Sequence, residues 1–301
     1  MAWVSAPSGG DAAYHEGMAR DSRSAVKGTM HGQRPSLDRL RFGTYLAPNV
    51  LPVYEVVTET VGRRLGIETE LVVETSYESC EKDENEVCFV CSLPYVTLER
   101  RGLDLATPVA APVLEGKRYG GRPIYYSDVI VHRDSPFGSF LDLRDASWAF
   151  NEPLSHSGYG LIRYHLVQLG ETNGFFGEVV EAGFHQEAIR MVARKEVDGS
   201  AIDSQVLAIE LRDHPDLADQ LRVVEALGPS TIQPVAVSKR VPEDLREAIR
   251  DVLLTMADDS SIRQRLGTAL VDRFVSVDAR SYDDIRMMVD ACEAAGFIVM
   301  R

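Results

Sequence analysis

From residue 41 onward, short β-branched runs alternate with segments of helical apolar period. That alternation restricts the chain to an α/β architecture with mostly parallel sheets flanked by helices. Residues 40–45, 67–74, 87–91 and 124–132 read as strands, and 106–114 is a further apolar stretch. Helices over 53–65 and 94–101 fall between them, stopped by Gly66 and Gly102. Farther along, 146–150, 179–183, 197–202 and 233–238 read as strands, with helices over 161–169, 186–195, 242–256, 260–266 and 282–295.

The order of these elements puts one domain inside another. The strand near 125–131 leaves a first lobe and the one near 233–238 returns to it. The expected lobes are 41–126 with 236–301, and 127–235. Two crossings make a hinge, and a hinge makes a cleft. Residues 1–40 carry scattered Gly, Ser, Ala and charges and read as a disordered extension. They contain neither the apolar core of an export signal nor a lipid-anchor motif. No run of eighteen apolar residues exists, so direct membrane insertion through a helix is not expected. The 32 basic residues against 46 acidic give a net charge of −14, which argues against nucleic acid or an anionic membrane as a partner.

One segment carries chemistry. Asn151-Glu152-Pro153-Leu154-Ser155-His156-Ser157-Gly158-Tyr159-Gly160 follows an apolar run and precedes an apolar periodic one, so it reads as strand, polar turn and helix start. A helix start leaves backbone N–H groups unpaired and carries partial positive charge. Ser155 and Ser157 add hydroxyls, and Gly158 allows close approach to the backbone, so the turn suits a small oxyanion such as phosphate. Taken alone, an ordinary serine N-cap accounts for the same residues. Cys88 and Cys91 show the C-x-x-C spacing of metal and redox sites. In a strand, however, positions i and i+3 face opposite sides with Cα atoms about 10 Å apart. Two buried structural thiols are expected there, with no disulfide framework.

In chain order, Phe42-Gly43-Thr44-Tyr45, Phe89-Val90-Cys91-Ser92-Leu93-Pro94-Tyr95 and Tyr125-Tyr126-Ser127-Asp128-Val129-Ile130-Val131 are followed by three more landmarks. These are Ser155-His156-Ser157-Gly158-Tyr159, Gly183-Phe184-His185-Gln186-Glu187-Ala188-Ile189 and Val197-Asp198-Gly199-Ser200-Ala201-Ile202-Asp203-Ser204. Over about residues 40–266 the chain resembles the phosphate/phosphite/phosphonate ABC-transporter substrate-binding proteins. The resemblance implies the two-lobed type II periplasmic-binding-protein fold, a ligand held by the serine turn and the helix behind it, and a periplasmic partner of an ABC permease. It places Tyr45 and Tyr95 on the first-lobe wall of the cleft, and His185 and Asp203 on the second. His156 stands where the family has a hydroxyl residue. The resemblance implies no cofactor, no metal and no catalytic residue, and a monomer.

Two other functions fit the same pattern. An enzyme on the bilobed fold would use His156, His185 and Asp203 as acid and base on a small anionic metabolite. A cytoplasmic ligand sensor would use the same closure to signal.

Overall fold

A computed structural model describes residues 38–301. The disordered extension expected over 1–40 lies outside the described residues as far as residue 37, while Arg39 and Leu40 already belong to a strand. Among the described residues, eleven strands form two sheets. In chain order they are β1 (Arg39–Thr44), β2 (Glu68–Val73), β3 (Val87–Phe89), β4 (Ala106–Leu114), β5 (Ile124–His132) and β6 (Ser147–Phe150). Then follow β7 (Glu178–Glu181), β8 (Gly199–Asp203), β9 (Leu221–Thr231), β10 (Val235–Ser238) and β11 (Val271–Ser276).

The first sheet has the order β11-β4-β10-β3-β1-β2 and the second β7-β6-β8-β5-β9. Where strand, helix and strand follow one another the pairing is parallel, as β1 with β2 and β3, and β6 with β7 and β8. Where the chain crosses between lobes the pairing turns antiparallel, at β10 with β3 and β4 and at β5 with β8 and β9. Both sheets are therefore mixed, each with a parallel half. β5 lies wholly in the second sheet, so the crossings are the segments 115–123 and 232–234.

Periodicity explains the covering helices. Leu51–Leu65 buries Val53, Val56, Val57 and Val61 against the first sheet and ends at Gly66, whose φ of 66° takes the left-handed cap. His185–Ala193 buries Ala188, Ile189, Val192 and Ala193 against the second. An aromatic nucleus of Phe140, Trp148, Phe175 and Phe176 fills the second lobe, with Trp148 and Phe176 stacked at 4.5 Å. The C-terminal helix Asp283–Ala294 and the residues after it lie against this lobe. Met288, Phe297 and Met300 join its core, and the Met300 N–H donates to the Tyr159 hydroxyl at 2.8 Å. The same segment also holds the first lobe through Arg286 and Glu99.

Candidate functional site

Strand ends position the site. In a parallel half-sheet, ligands collect outside the carboxyl ends of the strands, where loops diverge and helix N-termini point inward. Here Tyr45 follows β1, Tyr77 follows β2 and Cys91 follows β3. Facing them, Asn151, Ser155 and Ser157 follow β6, His185 follows β7 and Asp203 ends β8. All of these except the last stand one to seven residues past a strand, and together they line a cleft of about 340 Å³.

The serine turn is wider than an ordinary helix start. Gly160 N–H bonds to Ser155 O at 3.0 Å and Leu161 N–H bonds to His156 O, both spanning five residues. Such wide turns are a recurrent device at functional sites. The Ser155 hydroxyl accepts from Gly158 N–H at 3.1 Å, so this serine is an N-cap. Ser157 turns its hydroxyl to His185 Nε2 at 3.2 Å, while Ser127 Oγ fixes its carbonyl at 2.6 Å.

His185 is buried, and desolvation pushes its pKa down to about 3, so the imidazole is neutral. Its Nδ1 has no partner. Either tautomer leaves one donor for a ligand. If Nε2 accepts from Ser157, Nδ1 carries the spare proton; if Nε2 donates, the Ser157 hydroxyl is free. Asp203 accepts from Gln205 N–H at 2.8 Å and Val206 N–H at 3.3 Å, and on its other oxygen from Gln233 Nε2 at 3.2 Å. Burial nevertheless pushes its carboxyl up to about 6. Glu152 is also raised, by burial and then by Glu181.

On the first lobe Tyr45 and Tyr77 stack at 4.8 Å, giving the cleft an aromatic wall. The Tyr45 hydroxyl is held by Ser79 at 2.7 Å and Asn85 at 3.0 Å. The Tyr77 hydroxyl, Asn151 Oδ1 and Gln233 Oε1 are buried without partners. No lysine or arginine lines the cleft among the described residues.

Six of the eight expected residues gather at the cleft: Tyr45, Ser155, Ser157, His185 and Asp203 line it, and Gly158 abuts Asn151 and His185 behind it. Two stand elsewhere. Tyr95 sits in the helix Ser92–Arg100, whose period turns its ring onto Tyr282 at 5.2 Å, away from the cleft. His156 turns its ring back to Ser230, with Nε2 at 3.0 Å from Oγ, and only its backbone N–H, bonded to Cys91 Sγ, faces forward. Tyr77, Asn151, Glu152 and Gln233 are additional lining residues. Their position just past a strand end, or on a crossing, is the signal that marks them. Cys88 and Cys91 are buried free thiols. Among the described residues no group of three or more metal-ligating side chains converges, and no helix is long and apolar enough to cross a membrane.

Two sheets flanked by helices, whose parallel strand ends face one cleft, define the two-lobed type II periplasmic-binding-protein fold. The chain belongs to the family described as ABC transporter, phosphonate, periplasmic substrate-binding protein, which matches residues 44–282. It is 26% identical over 157 residues to the phosphonates-binding periplasmic protein of Escherichia coli (strain K12), covering 50% of this chain and 46% of that protein. It is 30% identical over 168 residues to a membrane-bound lytic murein transglycosylase F of Photobacterium profundum, covering 53% of this chain and 32% of that protein. The chain thus spans a third to a half of the length of these curated relatives. In three dimensions it resembles PhnD1 of Prochlorococcus marinus (MIT 9301) in complex with methylphosphonate. The TM-score is 0.73 and the identity 16%, over 85% of this chain and 98% of that one.

Proposed function

We propose that this protein binds a small oxyanion of the phosphonate, phosphite or phosphate type and delivers it, in the periplasm and as a monomer, to an ABC permease. The observation that carries this is the facing of partnerless buried polar atoms able to donate, from both lobes across one cleft: the Tyr77 hydroxyl on one side and the His185 imidazole on the other. Buried polar groups without partners are costly, and a ligand that satisfies both sets favours the closed form over the open one. Closure turns about the segments 115–123 and 232–234, between a lobe of 38–114 with 235–276 and a lobe of 124–231.

With no cation in the wall, charge is stabilised by neutral donors: Ser157 or His185, and Tyr77. Asp203, facing the same space, accepts from a protonated ligand oxygen. Sulfate, which has no such proton near neutral pH, is then disfavoured because its oxygen would face a carboxylate.

Calorimetric titration of the full chain with methylphosphonate, phosphite, phosphate and sulfate tests this. Micromolar or tighter binding of one of the first three, with sulfate much weaker, supports it. Silence toward all four, or preference for sulfate, overturns it.

A further inference from the structure

Alternation along β3 sends its side chains to opposite faces. Phe89 goes toward the helix Leu51–Leu65, where it stacks on Tyr54 at 4.2 Å. Cys88 therefore points to the other face, beneath the short helix Glu78–Glu81. There it opens onto a small cavity that Cys80 also lines. Cys88 is buried and Cys80 half-buried, so one sulfur of the pair is reachable and the other is held behind it.

The segment carrying Cys80 is also a wall of the cleft. Thr75, Ser76 and Tyr77 line the cleft, and Ser79 bonds the Tyr45 hydroxyl. Cys88 sits in the middle of the first sheet, between Gly43 of β1 and Ala236 of β10. A covalent link between these two positions would join a short surface helix to a central strand of the first sheet.

We propose that Cys80 and Cys88 form a reversible disulfide that clamps this wall of the cleft to the sheet. The Cys80 thiolate attacks one sulfur of an external disulfide, such as oxidised glutathione, and the external S–S bond breaks to release one thiolate. The Cys88 thiol then loses its proton and attacks the Cys80 sulfur, forming the protein disulfide and expelling the second external thiolate. The two protons given up by the cysteines end on the two external thiolates. Two protein thiols are oxidised and one external disulfide is reduced. Interaction between the two thiols lowers the Cys80 pKa and, with burial, raises that of Cys88, which suits the first as the attacking sulfur and the second as the resolving one. An oxidising compartment such as the periplasm would keep the bond closed.

The test uses the full chain, purified with reductant and then equilibrated with oxidised glutathione. Peptide mapping under non-reducing conditions should show Cys80 joined to Cys88, with Cys91 and Cys292 still alkylatable. Hydrogen exchange over residues 75–85 should slow severalfold in the oxidised form and recover on reduction, and Cys80→Ser should abolish both effects. The mapping and exchange need no ligand and, on the unsubstituted chain, no variant, so they stand apart from the oxyanion assignment. Persistent free thiols at both positions, a glutathione adduct that stays on Cys80, a bond joining other cysteines, or equal exchange in the two forms would each overturn the proposal.

Discussion

Gly158 is where the architecture of the cleft is tightest, and Gly158→Ala separates its binding role from its folding role. A methyl group there would stand 2.0 Å from Asn151 Oδ1, 3.1 Å from Asn151 Cγ and 3.2 Å from His185 Cε1. The closest of these atoms is the tip of a side chain that rotates about two torsions, and Asn151 Oδ1 has no hydrogen bond to lose. Overpacking typically costs about 1–3 kcal/mol, and the easy escape of Asn151 puts this case near the low end. At about 2–4 °C per kcal/mol for a chain of this size, Tm should fall by about 2–6 °C. Binding suffers more. Asn151 and His185 are two of the groups that meet the ligand, and a lost hydrogen bond to a charged partner is worth about 1.5–3 kcal/mol. With tenfold for each 1.4 kcal/mol, methylphosphonate affinity should fall about 10- to 150-fold. Titration calorimetry and scanning calorimetry on the same preparation measure both quantities. An unchanged Kd beside a lowered Tm would refute the placement of Asn151 and His185 in the binding surface.

Other outcomes follow from the same geometry. Ser157→Ala should weaken methylphosphonate binding about tenfold or more by calorimetry while Tm moves little, since Ser157 Oγ serves only His185 within the protein. Tyr95→Phe should leave Kd unchanged in the same titration, because its ring faces Tyr282. Stability should fall on acidification. His156 and His185 are held neutral, with pKa values of about 3 against an ordinary 6.5, so the unfolded chain takes up protons first. Their contribution is complete above pH 6.5 and is lost as pH falls toward 3. Asp203, raised from 3.8 to about 6, works in the opposite sense and recovers stability as pH falls from 6 to 3.8. Asp203→Asn keeps the cap to Gln205 and Val206 but should steepen the acid loss between pH 6 and 4, measured by urea midpoints.

The serine turn was legible in the chain because its signals are local. Strand, small hydroxyl residues, glycine and an apolar helix follow one another in sequence, and the same holds for Asp203 at the start of Ser204–Asp213. What failed for Tyr95 and His156 is direction. Both stand within motifs that do reach the cleft, yet helix phase at Tyr95 and the wide turn at His156 rotate the rings away. β9 and β11 left weaker traces. Each is an edge strand, with Arg222 and Glu225 or Asp272 and Arg273 half-exposed, and β9 carries Gly228–Pro229 where its register with β5 shifts, a place in a sheet that admits proline.

The amino-acid sequence by itself determined the alternation of strand and helix and the serine turn, since each depends on neighbours a few residues apart. Only tertiary structure decided which polar atoms remain without partners. Tyr77 and Asn151 are separated by 74 positions in the chain and meet across one cleft. Cys80 and Cys88 line one cavity because β3 turns its middle residue away from the helix Leu51–Leu65, to the face where Cys80 also lies. Hydrogen-bond satisfaction and burial are sums over contacts between distant segments, and no local pattern records them.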